Sequence, residues 1–274
     1  MASNLECVGL GVSDGDGLSA LIGEALERAE LLGEVAGTSV HAWQDPSGAR
    51  LVVSTQERTV KDLLPSYAGT PGARLAGLHA VNDEVAVAHV VDADGETLTM
   101  LAVEVEQRRL LSAGKQPVDA EAAVVALGVD VTVHADEAAF AASDASLLSP
   151  GSEPGEPPAH VVEQGHPWPP RMGPESFISY GVFGPPEQAE AYARLHGTVL
   201  SAQRRTVALT GGSFVVARVR TVGFEVDLCL AATDAAELPR PGNVIGGTVF
   251  LVASVPALAA AAPARRSWLP WRKG

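Results

Sequence analysis

Eight of the chain's 19 prolines fall in one stretch, SPGSEPGEPPAHVVEQGHPWPPRMGP, residues 149–174. Proline fixes φ and removes a backbone donor, so neither a helix nor a central strand runs through such a segment. It reads as a stiff, extended linker whose Val161, Val162 and Trp168 rest on a neighbouring surface. The chain then divides into an N-terminal domain, 1–148, the linker, 149–174, a small C-terminal domain, 175–255, and an Ala/Pro linker with a Trp/Arg tail, 256–274.

Each domain reads as α+β, a mostly antiparallel sheet with a few short helices. In the first, Leu5–Val12 reads as a strand. Leu18, Leu21, Ile22, Ala25, Ala29 and Leu32 then recur at helical spacing, with Asp14 or Asp16 to cap the start and Gly33 the end. SVHAWQDPSGARLVVS reads as a hairpin turning on Asp45-Pro46-Ser47-Gly48, with a short helix near 60–64 after it. ARLAGLHAV, VAVAHVV and TLTMLAVEV form a meander, and closure on Asp94-Gly95 opposes Val91 to Leu98, His89 to Met100 and Val87 to Ala102. A helix DAEAAVVAL, a strand GVDVTVHA and a capped helix DEAAFAASDASLL complete the domain. The C-terminal domain reads as βαββββ: a strand 177–183, a helix between Pro185 and Gly197, then strands near 198–209, 213–222, 224–231 and 244–254. Both halves open strand–helix–strand–turn–strand, a pattern that duplication gives and that also recurs by coincidence among α+β domains.

The stretch ARVRTVGFEVDLCL, 217–230, sets two arginines and two acids inside apolar runs. A turn at Val222-Gly223 opposes Thr221 to Phe224, Val219 to Val226, Ala217 to Leu228 and Val215 to Leu230 on one face. It also opposes Arg220 to Glu225 and Arg218 to Asp227 on the other. The arginines are therefore expected to be neutralised across the strands on a solvated face. From 191 to 224 there are five arginines and no acid, in a chain with 33 acids. Arg204 and Arg205 lack a local partner, and with the amides of Gly211-Gly212 they form a candidate anion site.

Net charge is −14, which excludes bulk electrostatic attraction to nucleic acid or an anionic membrane. Hydrophobic residues at 46% against 19% charged are enough for a packed core. The start lacks a secretory pattern, and Cys7 and Cys229 read as free thiols buried in apolar strands. A cytoplasmic location is expected, of bacterial type given a composition rich in Ala, Val, Gly and Arg. Asp14-Gly15-Asp16-Gly17 matches the start of a calcium loop, but the position that needs glutamate is Ala25, so the acids are read as helix caps. None of the seven histidines forms a close ligand pair; His41, His89 and His134 fall on strands. No nucleotide loop or nucleophile elbow is present, and no cofactor or metal is expected.

ECVGLGVSDGDGLSALIGEAL followed by HAWQDPSGARLVV, about the first 55 residues, resembles the βαβββ modules of vicinal-oxygen-chelate (glyoxalase-like) proteins. In that family the first strand supplies a metal ligand. Cys7 stands near that place in lieu of histidine, so the resemblance implies a non-catalytic copy.

Residues 241–264 carry no charge, and Arg265, Arg266, Trp268, Trp271, Arg272 and Lys273 follow. Gly246-Gly247, Pro256 and Pro263 interrupt the run, which favours a last strand and then an exposed amphipathic peptide that docks on a partner. The leading expectation is a soluble, non-catalytic adaptor that binds an unidentified protein partner through Arg265, Arg266, Trp268, Trp271 and Arg272. Peripheral membrane contact by this tail is less favoured. The alternatives are a small-ligand or metal-dependent enzyme with a degenerate glyoxalase-like module, and anion or nucleic-acid binding through Arg204 and Arg205.

Overall fold

Strand outweighs helix, 48% against 18%, and the ladders are chiefly antiparallel, which places the chain in the α+β class. The computed structural model describes residues 3–113, 116–149 and 155–259. After a 3-10 turn at Glu6–Val8 comes helix α1, Gly15–Arg28, whose first turn is capped by the Asp14 carboxylate accepting from Gly17 N at 2.8 Å. Strands β1 (Glu30–Val35), β2 (Thr38–Gln44), β3 (Ala49–Gln56) and β4 (Thr59–Tyr67) form one antiparallel sheet in chain order. The second sheet takes β5 (Ala73–Ala80), β6 (Val85–Val91), β7 (Thr97–Val105), β8 (Val118–His134), β9 (Ser176–Ser179), β10 (Tyr192–Thr206), β11 (Ser213–Thr221), β12 (Phe224–Ala231) and β13 (Val244–Ser254). Short helices α2 (Arg108–Ala113) and α3 (Glu137–Ala142) sit in connections, and α4 (Ala159–Glu163) forms inside the stretch expected to hold no helix, in the proline-free run between Pro158 and Pro167.

The expected division into domains 1–148 and 175–255 is not what the sheet shows. β8 pairs with β13 over eleven positions, from Val244↔His134 to Ser254↔Ala123, so strands from both sides of the prolines share one sheet. On its other side β8 pairs with β5 and then with β12; β13 pairs with β10 and then with β7. Two five-stranded rings result, β5-β6-β7-β13-β8 and β10-β11-β12-β8-β13, with the β8·β13 ribbon as their shared wall. A single apolar cluster fills both, running from Leu75, Val90 and Leu101 to Val215, Val226 and Ile245. Each large aliphatic side chain buried there contributes roughly 1.5–3 kcal/mol. The proline-rich segment folds back on the body, with Leu148 N donating to Pro170 O at 2.9 Å and Met172 N to Ser146 O at 2.6 Å.

The repeat differs from the expected strand–helix–strand–turn–strand rhythm. β5 to β8 recur as β10 to β13: first strand antiparallel to second, second to third, fourth to first. The fourth strand of each set lies parallel to the third strand of the other, and the two fourth strands pair with each other.

Several local expectations change for identifiable reasons. Leu5–Val12 is no strand, because Gly9 at φ 70° turns the chain against Gly212 and Val207, where a Cβ would have no room. The first helix stops at Arg28, since pairing of β1 with β2 takes Leu32 and Gly33. Residues 60–64 are strand, not helix. The helix expected over 119–127 is the middle of β8: the run from Ala122 to Leu127 is wholly buried, and a continuous apolar run carries no period to separate helix from strand. The helix expected after Pro185 is reduced to a 3-10 turn, Pro186–Gln188, before β10. The strand expected over 177–183 ends at Ser179. In the meander, His89↔Met100 and Val87↔Ala102 hold, while an irregularity beyond Val90 moves Val91 from Leu98 to Thr97.

The β1–β4 sheet packs outside the rings, with Trp43, Leu51, Val53 and Leu64 in one cluster with Val125, Leu127, Phe214 and Val216. Asp45, 3% exposed, ties the two parts: one oxygen accepts from Ser47 N within the turn, the other from Ala208 N at 3.0 Å.

Candidate functional site: a charged cleft beside the loop at 68–71

The β11–β12 hairpin has the expected register at every pair, from Val215↔Leu230 to Thr221↔Phe224, with Arg218↔Asp227 and Arg220↔Glu225. The ion pairs it makes are redistributed. Arg218 takes both acids, Nε to Glu225 Oε2 and Nη1 to Asp227 Oδ2, each at 3.0 Å. Glu225 is the diagonal neighbour of Arg218, within reach of a long side chain. Arg220 instead binds Glu175, just before β9, with Nη2 at 2.8 Å and Nε at 3.0 Å from Oε1.

Nor is the face open to solvent around Arg218. The chain between β4 and β5 crosses it: Thr70 N donates to Asp227 Oδ2 at 2.9 Å, Arg218 Nη1 donates to Thr70 O at 3.0 Å, and Glu225 N donates to Gly72 O at 3.2 Å. Glycine permits the crossing; a Cβ on Gly69 would stand 2.7 Å from Asp227 Oδ2, and one on Gly72 2.5 Å from Glu225 O. Burial raises the Asp227 carboxyl above its ordinary value, opposed by the Thr70 amide and Arg218.

Next to this crossing lies a cleft of ≈ 390 Å³ lined by Tyr67, Thr70, Gln203, Arg205, Arg218 and Asp227, among others. Arg205 enters from β10, opposite Phe214, on whose ring Tyr67 packs edge-on at 6.0 Å. Its Nε is enclosed without an acceptor, and no carboxylate lies within ion-pair distance of it among the described residues. Burial and the neighbouring Cys229 push the Tyr67 phenol up, while the Arg205 charge pulls it down.

The other predicted site residues do not converge here. Arg204 precedes Arg205 on a strand and so points to the opposite face, where Nη2 donates to Ala235 O at 3.0 Å. The Gly211 and Gly212 amides are engaged, the first with Val207 O at 2.9 Å and the second with Thr210 Oγ1 at 3.1 Å. Gly212 serves close approach to Gly9 and Gly211 supplies a positive φ for the turn, and the pair forms no anion cradle with Arg204 and Arg205. Arg265, Arg266, Trp268, Trp271, Arg272 and Lys273 lie outside the described residues.

Cys7 and Cys229 are buried as expected, though Cys7 sits in the 3-10 turn and not in a strand. Burial pushes the Cys7 thiol up to about 11 and raises the Cys229 thiol as well; Cys7 Sγ donates to Gly128 O at 3.2 Å. The N-terminal region has the order αββββ where the glyoxalase-like resemblance implies βαβββ, so Cys7 does not occupy a ligand position on a first strand. Among the described residues, no group of three or more His, Cys, Asp or Glu is placed to hold a metal ion. His196 is fully buried, its Nδ1 2.9 Å from Ser176 Oγ, and burial with Arg194 and His134 nearby lowers it to about 4.

Sequence reasoning passed over a second acid–arginine cluster. Glu104 lies opposite Val252 where β7 runs parallel to β13, the counterpart of Asp227 opposite Val125 where β12 runs parallel to β8. Arg108 binds Glu104 and Asp62; Glu106, two residues on, is 2% exposed, binding Arg50 at 3.1 Å and accepting from Ser66 Oγ at 2.6 Å. Burial pushes the Glu104 carboxyl up to about 6. The signal was present in VEVEQRR, two acids on one face of an otherwise apolar strand. The segment from Asp62 to Thr70 touches both clusters, and so fastens the outer sheet to each ring.

No protein-family model, curated protein sequence or solved structure matches the chain. Among the described residues, no helix is long and apolar enough to cross a membrane.

Proposed function

We propose that this chain works by binding, and that the cleft at Arg205 receives a small acidic group, a carboxylate or a phosphate. One observation supports the reading: Arg218 is already held by two carboxylates, whereas Arg205 enters the same cleft with no carboxylate within ion-pair distance among the described residues and with its Nε lacking an acceptor. A half-buried guanidinium whose Nε has no acceptor favours an oxyanion in its plane. Tyr67 and Gln203 add neutral polar groups at the rim. This keeps the anion-binding alternative read from the sequence but assigns it to Arg205 alone. An adaptor role for the tail stands as a separate proposal from its sequence; deleting 265–274 is expected to remove partners from a pull-down in the native host, and an unchanged partner set would count against it.

The cleft is tested by titrating the full chain with inorganic phosphate and with citrate, followed by amide NMR. Shifts are expected at 203–205 and 67–70. Arg205→Gln is expected to abolish them, while Arg204→Gln leaves them in place. Equal loss in both variants, or shifts confined to other regions, would overturn the reading.

A further inference from the structure

The ring built from β10, β11, β12, β8 and β13 is closed by a short contact. β12 meets β8 only at Asp227↔Val125, Leu228↔Ala126 and Cys229↔Leu127, and then the two strands part. Beyond that point β8 continues to His134, paired on one side with β13 and, among the described residues, with no strand on the other. Alternate N–H and C=O groups along 130–134 therefore face away from the sheet. A groove of ≈ 570 Å³ lies along this edge, bounded by Val131–Ala135 and by Asp234–Arg240.

The groove is apolar at its base and acidic at its rim. Val133 is 38% exposed and Leu238 42%. Asp234 and Glu237 stand on the facing segment, Asp130 lies on the strand and Asp136 just beyond it, and all four are exposed; His134 and Arg240 are the basic side chains among the residues lining the groove. Arg204 lies nearby but is turned to the carbonyl of Ala235. An unpaired strand edge invites another strand, and acids around it favour a cationic one over a second acidic one.

We propose that the outer edge of β8, residues 130–134, takes up an extended peptide of alternating basic and apolar residues by strand addition. Main-chain hydrogen bonds to β8 hold the peptide; its apolar side chains meet Val131, Val133 and Leu238, and its cations meet Asp130, Asp234 and Glu237. The inference is independent of the cleft at Arg205, which lies on the other face of the sheet.

The test uses a fluorescein-labelled (Lys-Val)3 peptide and the full chain. Binding is expected by anisotropy, with slowed amide exchange confined to 130–134. The double variant Asp130→Lys/Glu237→Lys, at two exposed positions, is expected to weaken binding at least about tenfold. Unchanged affinity in that variant, or exchange protection elsewhere, would overturn the proposal. So would edge amides already protected in the free chain, whether dilution releases them (a second copy fills the edge) or deletion of 260–274 does (the chain's own tail fills it).

Discussion

Glu104 gives the sharpest measure of how the acid–arginine clusters act. Its carboxyl is buried against Arg108, Asp62 and Glu84, and desolvation outweighs the attraction of Arg108, so its pKa stands near 6 against an ordinary 4.5. A rise from 4.5 to about 6 is worth about 2 kcal/mol, since each tenfold change is ~1.4 kcal/mol. The folded state holds this proton more tightly than the unfolded chain. The contribution is therefore fully present below pH 4.5 and is lost as pH rises through about 6. Glu104→Gln keeps the shape and removes the titration. Urea unfolding of both proteins at pH 4 and pH 7.5 isolates the effect, because other titrating groups contribute equally to both. The stability of the variant relative to the native protein is expected to rise by about 2 kcal/mol from the lower pH to the higher. A relative stability that is flat, or that falls, would show that the Arg108 pairing outweighs the cost of burial, and the account of both clusters would fail.

Other expectations follow from the same contacts. Arg218→Met leaves Asp227 buried without its cation, and urea unfolding is expected to show a loss of roughly 3–5 kcal/mol; a loss below about 1 kcal/mol would mean the pair is solvated. Gly72→Ala sets a methyl group against Glu225 O and is expected to cost roughly 1–3 kcal/mol, read from the melting curve. His196, lowered to about 4 from 6.5, gives stability that is present above pH 6.5 and lost as pH falls toward 4, roughly 3 kcal/mol in all; His196→Gln is expected to flatten that acid limb. Both thiols are expected to resist a thiol-specific reagent until the protein unfolds, with labelling tracking global unfolding by urea.

What the sequence discloses is governed by range. The β11–β12 register was readable because turn, alternation and charge all act within fifteen residues and agree. The β2–β3 hairpin and the β5–β7 meander were readable from their turn residues alone. The closure of the rings was not, because it rests on contacts of two and three residue pairs, Glu104 with Val252 and Asp227 with Val125, between strands far apart in the chain. Local pattern cannot encode such a meeting. The prolines of 149–174 give a strong local signal of interruption, yet pairing of β8 with β13 carries the sheet past them. At the cleft, the unpartnered state of Arg205 was visible in the sequence. Its separation from Arg204 follows from strand alternation once β10 is known to extend through Thr206.

The shared wall also sets a timetable for synthesis. β8 leaves the ribosome about a hundred residues ahead of β13, which at typical elongation rates is a wait on the order of ten seconds. Until β13 arrives, neither ring can close, and a long valine-rich ribbon stands with a bare flank. During that wait the edge of β8 that β13 will cover stays open to strands of other chains.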